Sequence, residues 1–216
     1  MARTKEYPHY CPVALTLETV GEKWSLLIVR DLLFGPQRFT DLLGSLGGIT
    51  PKWLTLRLRE LEASGVVERD QVAGRREVWY QLTPKGQDLM PVIEALVGWG
   101  LHYTRPPQPG DVVHPWRAVA LAAFIFNRSG MRLTHPRTWV VRFAADQAHA
   151  LHFDGERWTY QRDAVGDVAI ETKPKAWLAF LAAAPGERAR LLPDLHITGK
   201  PAPVAEFETA FTSDHA

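Results

Sequence analysis

The sequence predicts an α+β chain in two parts, a winged helix-turn-helix domain followed by an α/β domain. Three observations carry that prediction. Residues 49–62 spell a cationic amphipathic helix, set behind a shorter amphipathic helix and a double-glycine turn. A basic hairpin follows it directly. Beyond a proline-rich break from Thr104 to Asp111, alternating apolar residues mark a series of strands with helices among them.

Taken in order, Pro12 can open a first helix, with Val13, Leu17 and Val20 on one face and Gly21 at its end. Residues 24–34, WSLLIVRDLLF, are apolar on almost every side, interrupted by Ser25, Arg30 and Asp31. A helix of that kind is buried, and Gly35-Pro36 stops it. Phe39, Leu42, Leu43 and Leu46 then recur at helical spacing as a short amphipathic helix. Gly47-Gly48 supplies a turn that needs freedom in φ.

Thr50 is a good N-cap for the next helix, because its hydroxyl can accept a bond from an orphan amide of the first turn. Pro51 follows where its missing N–H costs nothing. Leu54, Leu58 and Leu61 form one apolar stripe, and on a 3.6-residue wheel Lys52, Thr55, Leu56 and Arg59 point away from it, with Arg57 on the flank. Three cations and no anion lie between Thr50 and Arg59. Gly65 caps the helix, so the whole reads helix, glycine-containing turn, helix, a few residues looser than the tightest helix-turn-helix. Residues 66–69 and 77–82 read as the strands of a hairpin whose connection holds Gly74, Arg75 and Arg76. A hairpin after a recognition helix is a wing, and its arginines can reach a phosphate or a narrow minor groove. Each piece alone has a bland explanation, a solvated helix face or a charged tip that keeps an edge soluble. Cationic helix, preceding helix and basic wing side by side point to DNA.

Thr83-Pro84 opens a longer helix with two apolar stripes, Leu89, Ile93, Leu96 and Gly100 on one and Val92, Trp99 and Tyr103 on the other. Pro91 is expected to kink it. Two stripes call for two partners, the winged domain itself and a second subunit, unless they form one wide face buried within a single chain.

In the second half, residues 116–127 form an alanine-rich aromatic helix. Residues 138–143, 148–153, 157–161 and 167–172 read as strands, with Asp154-Gly155 as a hairpin turn. Pro174 opens a helix to Ala184, Pro185-Gly186 breaks it, and a short helix near 189–192 leads to a strand at 195–199. A last helix, 204–211, carries Phe207 and Phe211 on one face. The second half is also rich in aromatic residues; most pack a core, and Trp116, Phe124, Trp139, Trp158, Trp177 and Phe180 are the candidates to line a ligand pocket.

Composition narrows the function classes. Apolar residues are 46% and charged residues 23% of 216, ordinary for packed domains. The net charge is +1, and residues 1–105 hold 13 Lys and Arg against 12 Asp and Glu. Nucleic-acid binding must therefore come from local placement of charge. A lone cysteine excludes an internal disulfide, and with no signal peptide in view it points to the cytoplasm. No apolar run approaches the ~20 residues of a membrane span. His149 and His152 fall on opposite faces of a strand, and no Cys/His cluster exists, so no metal is expected. Residues 44–48 lack the lysine of a phosphate loop and lie between helices. No triad spacing appears. The chain is expected to be no enzyme and to need no cofactor.

Residues from Cys11 to about Gly100 resemble the HxlR-type winged helix-turn-helix regulators, relatives of the MarR group. The matching stretches are Cys11-Pro12-Val13, Gly21-Glu22-Lys23-Trp24-Ser25-Leu26-Leu27-Ile28, Arg38-Phe39-Thr40-Asp41-Leu42, Leu56-Arg57-Leu58-Arg59-Glu60-Leu61-Glu62, Gly65-Val66-Val67-Glu68-Arg69 and Tyr80-Gln81-Leu82-Thr83-Pro84-Lys85-Gly86. The resemblance implies a homodimer that puts one recognition helix per subunit into the major groove of double-stranded DNA. Lys52, Thr55, Leu56 and Arg59 then face base edges, and Arg57, Arg75, Arg76, Thr50 and Lys85 position the phosphate backbone. Cys11 precedes a helix N-terminus, which favours a thiolate, and some members of the family use a cysteine near this place to sense oxidants through an inter-subunit disulfide. Residues 112–212 resemble the sterol-carrier-protein-like domain in their strand series, the helix Pro174-Lys-Ala-Trp-Leu-Ala-Phe-Leu181 and the strand-then-helix ending. That implies an apolar small-molecule effector. The expected layout is a DNA-binding domain over 1–103, a linker over 104–111 and a ligand-binding domain over 112–212. Two rivals are a lipid or apolar small-molecule carrier whose winged domain mainly dimerises, and an enzyme using the C-terminal pocket, for which no residue set proposes a reaction.

Overall fold

The computed structural model describes residues 7–70, 77–101, 103, 114–143 and 148–212. The chain divides into two units, Met1–Val112 and Val113–Ala216.

The first unit runs α1 (Pro12–Val20), α2 (Ser25–Leu32), β1 (Gln37–Arg38), α3 (Phe39–Leu46), α4 (Pro51–Ala63), β2 (Val67–Asp70), β3 (Trp79–Leu82), α5 (Pro84–Gln87) and α6 (Met90–Leu101). The three strands form an antiparallel sheet in the order β1-β3-β2. This is a winged helix-turn-helix: α3 and α4 are the helix pair, and β2 and β3 are the wing. One core joins the helices and the sheet, with Ile28, Val29, Leu42, Leu54, Leu58 and Leu61 at its centre. The turn from α3 to α4 uses Gly47 and Gly48 at φ +51° and +78°. At the far end of α4, Gly65 sits at φ +70° and Val66 N donates to Leu61 O at 2.9 Å, which satisfies a terminal carbonyl.

Three details differ from the sequence expectation. Strand β1 is only two residues long and follows from its partner β3, not from any local pattern. Helix α2 is not buried all round: the apolar Leu27 is exposed, while the polar Asp31 is fully buried. Ser45 Oγ donates to Asp31 Oδ2 at 2.6 Å, Arg30 Nε to Oδ1 at 2.9 Å, and Gln37 Nε2 to the Asp31 carbonyl at 2.7 Å. That network ties α2 to α3 through a charge-assisted bond and to β1 through an amide–carbonyl bond. Pro91 does not kink a continuous helix. The chain breaks after α5, and Pro91 lies in the first turn of α6, where it costs no helical bond.

The second unit runs α7 (Pro115–Arg128), β4 (Arg137–Arg142), β5 (His149–Phe153), β6 (Trp158–Arg162), β7 (Val168–Glu171), α8 (Pro174–Ala182), α9 (Pro185–Arg188), a 3-10 turn (Leu192–Asp194), β8 (His196–Gly199) and α10 (Pro201–Thr212). Its sheet is mixed, in the order β6-β5-β4-β7-β8, with β4 and β7 parallel and every other pair antiparallel. Trp139 lies opposite Leu151 and Val168, and Val141 opposite His149 and Ile170, so these residues share one face. That face packs against Phe126, Trp177, Phe180, Phe207 and Phe211 from α7, α8 and α10. Pro185 opens α9 where the sequence suggested only a break. Arg188, at its end, donates through Nε to the carbonyls of Phe180 and Ala183, through Nη2 to Leu181 O and through Nη1 to Phe211 O. One guanidinium thus serves the orphan C-terminal carbonyls of two helices. Among the described residues, no helix is long and apolar enough to cross a membrane.

Candidate nucleic-acid interface

Helix α4 begins as its sequence dictates. Thr50 Oγ1 accepts the Trp53 N–H at 3.4 Å, and Pro51 occupies the first turn. Leu54 and Leu61 are fully buried and Leu58 nearly so. Their burial fixes the rotation of the helix about its axis. Lys52, Trp53 and Arg59 are exposed as a result, and Thr55 and Leu56 are half-buried. On the helical wheel, Lys52, Leu56 and Arg59 form the outward ridge, with Thr55 on one shoulder and Trp53 on the other. Thr55 Oγ1 donates to Pro51 O at 2.8 Å. Its proton is spent there, so toward a base it offers an acceptor, which suits the amino groups of cytosine or adenine.

Arg57 departs from expectation. It is only 6% exposed, ion-paired to Glu60 and, at 3.5 Å, to Glu22 in the turn before α2. Its guanidinium carbon lies 5.7 Å from the centre of the Trp53 ring. The flank position turns it toward its own domain, where it pairs with two carboxylates and braces the fold, with little of its surface left open to a phosphate. Lys85 is exposed, but its Nζ donates to Ser64 O at 2.7 Å. Ser64 lies about 18 Å along the axis from Lys52, and the ammonium answers the negative end of the helix dipole there. Thr50 is exposed, with its oxygen engaged as the cap.

In the wing, Glu68 accepts from Gln81 Nε2 at 2.8 Å across the two strands. Arg38, at the start of α3, pairs with Asp41 at 3.0 Å and with Glu77 at 3.2 Å, and packs on the Trp79 ring. This joins α3 to the wing's second arm. Arg75 and Arg76, expected at the tip, lie outside the described residues. Sequence reasoning missed Trp53, which is 50% exposed in the first turn of α4. The available signal was a large aromatic side chain next to, and not within, the leucine stripe.

Cys11 is exposed at the N-cap position of α1. The backbone N–H groups of Ala14 and then Val13, at the start of α1, favour the thiolate and hold its thiol below the ordinary range, outweighing a small opposing effect of burial.

The six aromatic residues singled out in the second unit fall into two groups. Trp139, Trp158, Trp177 and Phe180 are buried in the packed core. Trp139 lies 4.7 Å from Trp158 and 5.1 Å from Phe207, and Phe180 lies 5.2 Å from Phe211 (ring centres), so these rings fill space against one another. Trp116 and Phe124 are half-buried on α7. The Trp116 ring lies within 6.0 Å of Tyr160 and carries the guanidinium groups of Arg117 and Arg162 at 5.2 and 5.8 Å. Trp158 Nε1 donates to Met131 O at 3.0 Å, whereas the buried Nε1 atoms of Trp139 and Trp177 have no hydrogen-bond partner. His149 Nδ1 meets Tyr160 Oη and His152 Nδ1 meets Thr138 Oγ1, each at 2.9 Å. Among the described residues, no group of three His, Cys, Asp or Glu side chains could hold a metal ion.

A capped helix with a cationic outward ridge, set between a short partner helix and a two-stranded wing, defines a winged helix-turn-helix DNA-binding domain. A family model described as HxlR-like helix-turn-helix matches residues 19–108. The chain is 39% identical over 94 residues to the uncharacterized HTH-type transcriptional regulator sll1512 of Synechocystis sp., a stretch that is 42% of this chain and 68% of the relative. It is 41% identical over 96 residues to the uncharacterized HTH-type transcriptional regulator YdeP of Bacillus subtilis, 43% of this chain and 73% of that one. Among solved structures, the reduced form of the transcriptional regulator YodB from B. subtilis aligns with 33% identity over 46% of this chain and 100% of its own, with a TM-score of 0.39. Through its first ~110 residues, the chain belongs to the HxlR-like helix-turn-helix family of transcriptional regulators.

The helix N-terminus behind Cys11 makes one chemical prediction. Alkylation of this single thiol by iodoacetamide, followed against pH, should reach half its maximal rate below the midpoint of free cysteine, because the thiolate forms early. A midpoint at or above that of free cysteine contradicts this influence of the helix N-terminus.

Proposed function

We propose that the chain is a homodimeric, sequence-specific regulator that sets α4 into the major groove of double-stranded DNA, with its affinity adjusted by an apolar small molecule held in the second unit. The observation that carries the DNA reading is the outward ridge of α4. Lys52 and Arg59 are exposed on the same side as Leu56, while Arg57, the cation of α4 that pairs with Glu22 and Glu60, is turned inward. Lys52, Thr55, Leu56 and Arg59 read base edges, with Leu56 in apolar contact with a thymine methyl. Thr50, and Arg75 and Arg76 of the wing, position the phosphates.

The dimer is supported by apolar surface on the helices that flank the winged core. Val13, Leu15 and Leu17 of α1 and Leu96 and Trp99 of α6 are exposed, with Trp99 against Tyr103 at 4.8 Å. A second copy of the chain would cover them. We assign residues 1–103 to DNA binding, 104–111 to a linker and 112–212 to a sterol-carrier-protein-like domain. The strand order and the one-sided aromatic core support that last assignment. Binding of the apolar small molecule would shift the population of DNA-competent conformations. Cys11 adds a redox input: its exposed, readily ionised thiol would alter DNA affinity on oxidation, and Cys11→Ser would remove that response.

On a duplex selected from random DNA by the full chain, Arg59→Ala should cost ~1–3 kcal/mol at one base position and little elsewhere. An equal loss on every sequence refutes base reading. Native mass spectrometry of the chain purified without additives should show a retained apolar molecule. A chain that holds such a molecule yet selects no duplex is a carrier, and one that selects a duplex and binds nothing apolar has no such effector.

A further inference from the structure

We propose that Trp53 is a specificity-determining DNA contact of α4, its indole packing on the 5-methyl group of a thymine in the major groove. The inference rests on the regulator reading above. An isolated exposed apolar side chain is common on any protein surface, so exposure alone decides nothing. Three features set Trp53 apart. It lies in the first turn of α4, the end of a recognition helix that reaches base edges. Its backbone is fixed, because its N–H is the donor that Thr50 Oγ1 accepts. Its ring is backed by the Arg57 guanidinium at 5.7 Å, which Glu22 and Glu60 in turn hold in place. The half of the ring that stays exposed is thus presented as a rigid apolar surface on the shoulder of the cationic ridge. The thymine methyl is the one apolar group that base pairs display in the major groove. A buried, ion-paired arginine seated behind an exposed indole is an arrangement a purely solvated helix face does not need.

The test uses the full chain and duplexes it selects from random DNA. Each thymine of the selected site is replaced in turn by uracil, which deletes only the methyl group, and affinity is measured for the wild type, Trp53→Phe and Trp53→Ala. At the position under Trp53, distinct from the one under Leu56, the wild type should lose about fourfold, the worth of one buried methyl. Trp53→Phe should keep that position-specific loss, and Trp53→Ala should bind thymine and uracil there alike. An unchanged thymine preference in Trp53→Ala overturns the assignment while leaving the regulator reading intact, as does a loss spread evenly over all duplexes. Failure of the wild type to select any duplex overturns both. Circular dichroism and thermal melting of both variants guard against a folding defect, which an exposed position does not lead one to expect.

Discussion

Burial of Leu54, Leu58 and Leu61 decides what the rest of the first unit can do. A helix presents a new direction every 100°, so three leucines pinned in one core leave no freedom in where the intervening residues point. Thr50 and Pro51 fix where the helix starts, and Gly65 fixes where it stops. Start, stop and rotation together place Lys52, Leu56 and Arg59 on one outward ridge. The buried Asp31, bonded to Ser45 and reached by Gln37 through its carbonyl, then holds α2, α3 and the short strand β1 in one arrangement around that helix. Breaking that node would leave a desolvated carboxylate without its partner hydroxyl, which is costly in a core.

Arg57 and Arg59 show how much rotation matters. They are the same residue type two positions apart. One is covered, paired with Glu22 and Glu60 and packed on Trp53; the other is exposed. With a net charge of only +1, the chain has little long-range attraction for a polyanion. Its electrostatic contribution must come from a few cations at contact distance, and neutralising Arg57 internally makes that set smaller and more directional.

The sequence was most legible where structure is local. The cap at Thr50, the leucine stripe, the double-glycine turn and the alternating strands of the second unit are all periodic or positional signals. Non-local partners account for the differences. Arg57 sits on a flank, and a wheel cannot say whether a flank meets solvent or Glu22 from an earlier turn. Strand β1 has no pattern of its own. Pro91 and Pro185 read as interruptions, whereas each lies in the first turn of a new helix, a choice set by where the chain must turn. The parallel pairing of β4 with β7 requires a crossover and leaves no local trace. The aromatic-rich half suggested a pocket, yet four of the six chosen rings fill one another's space, because composition reports apolar surface and not whether it encloses a void.

We propose that two copies of α4 enter one duplex a single helical turn apart, an arrangement with a direct readout. Hydroxyl-radical footprinting of the full chain on its selected duplex should give two protected patches on one face of the DNA, with centres ~10–10.5 base pairs apart. A single patch, or two patches out of phase with the helical repeat, would contradict the account.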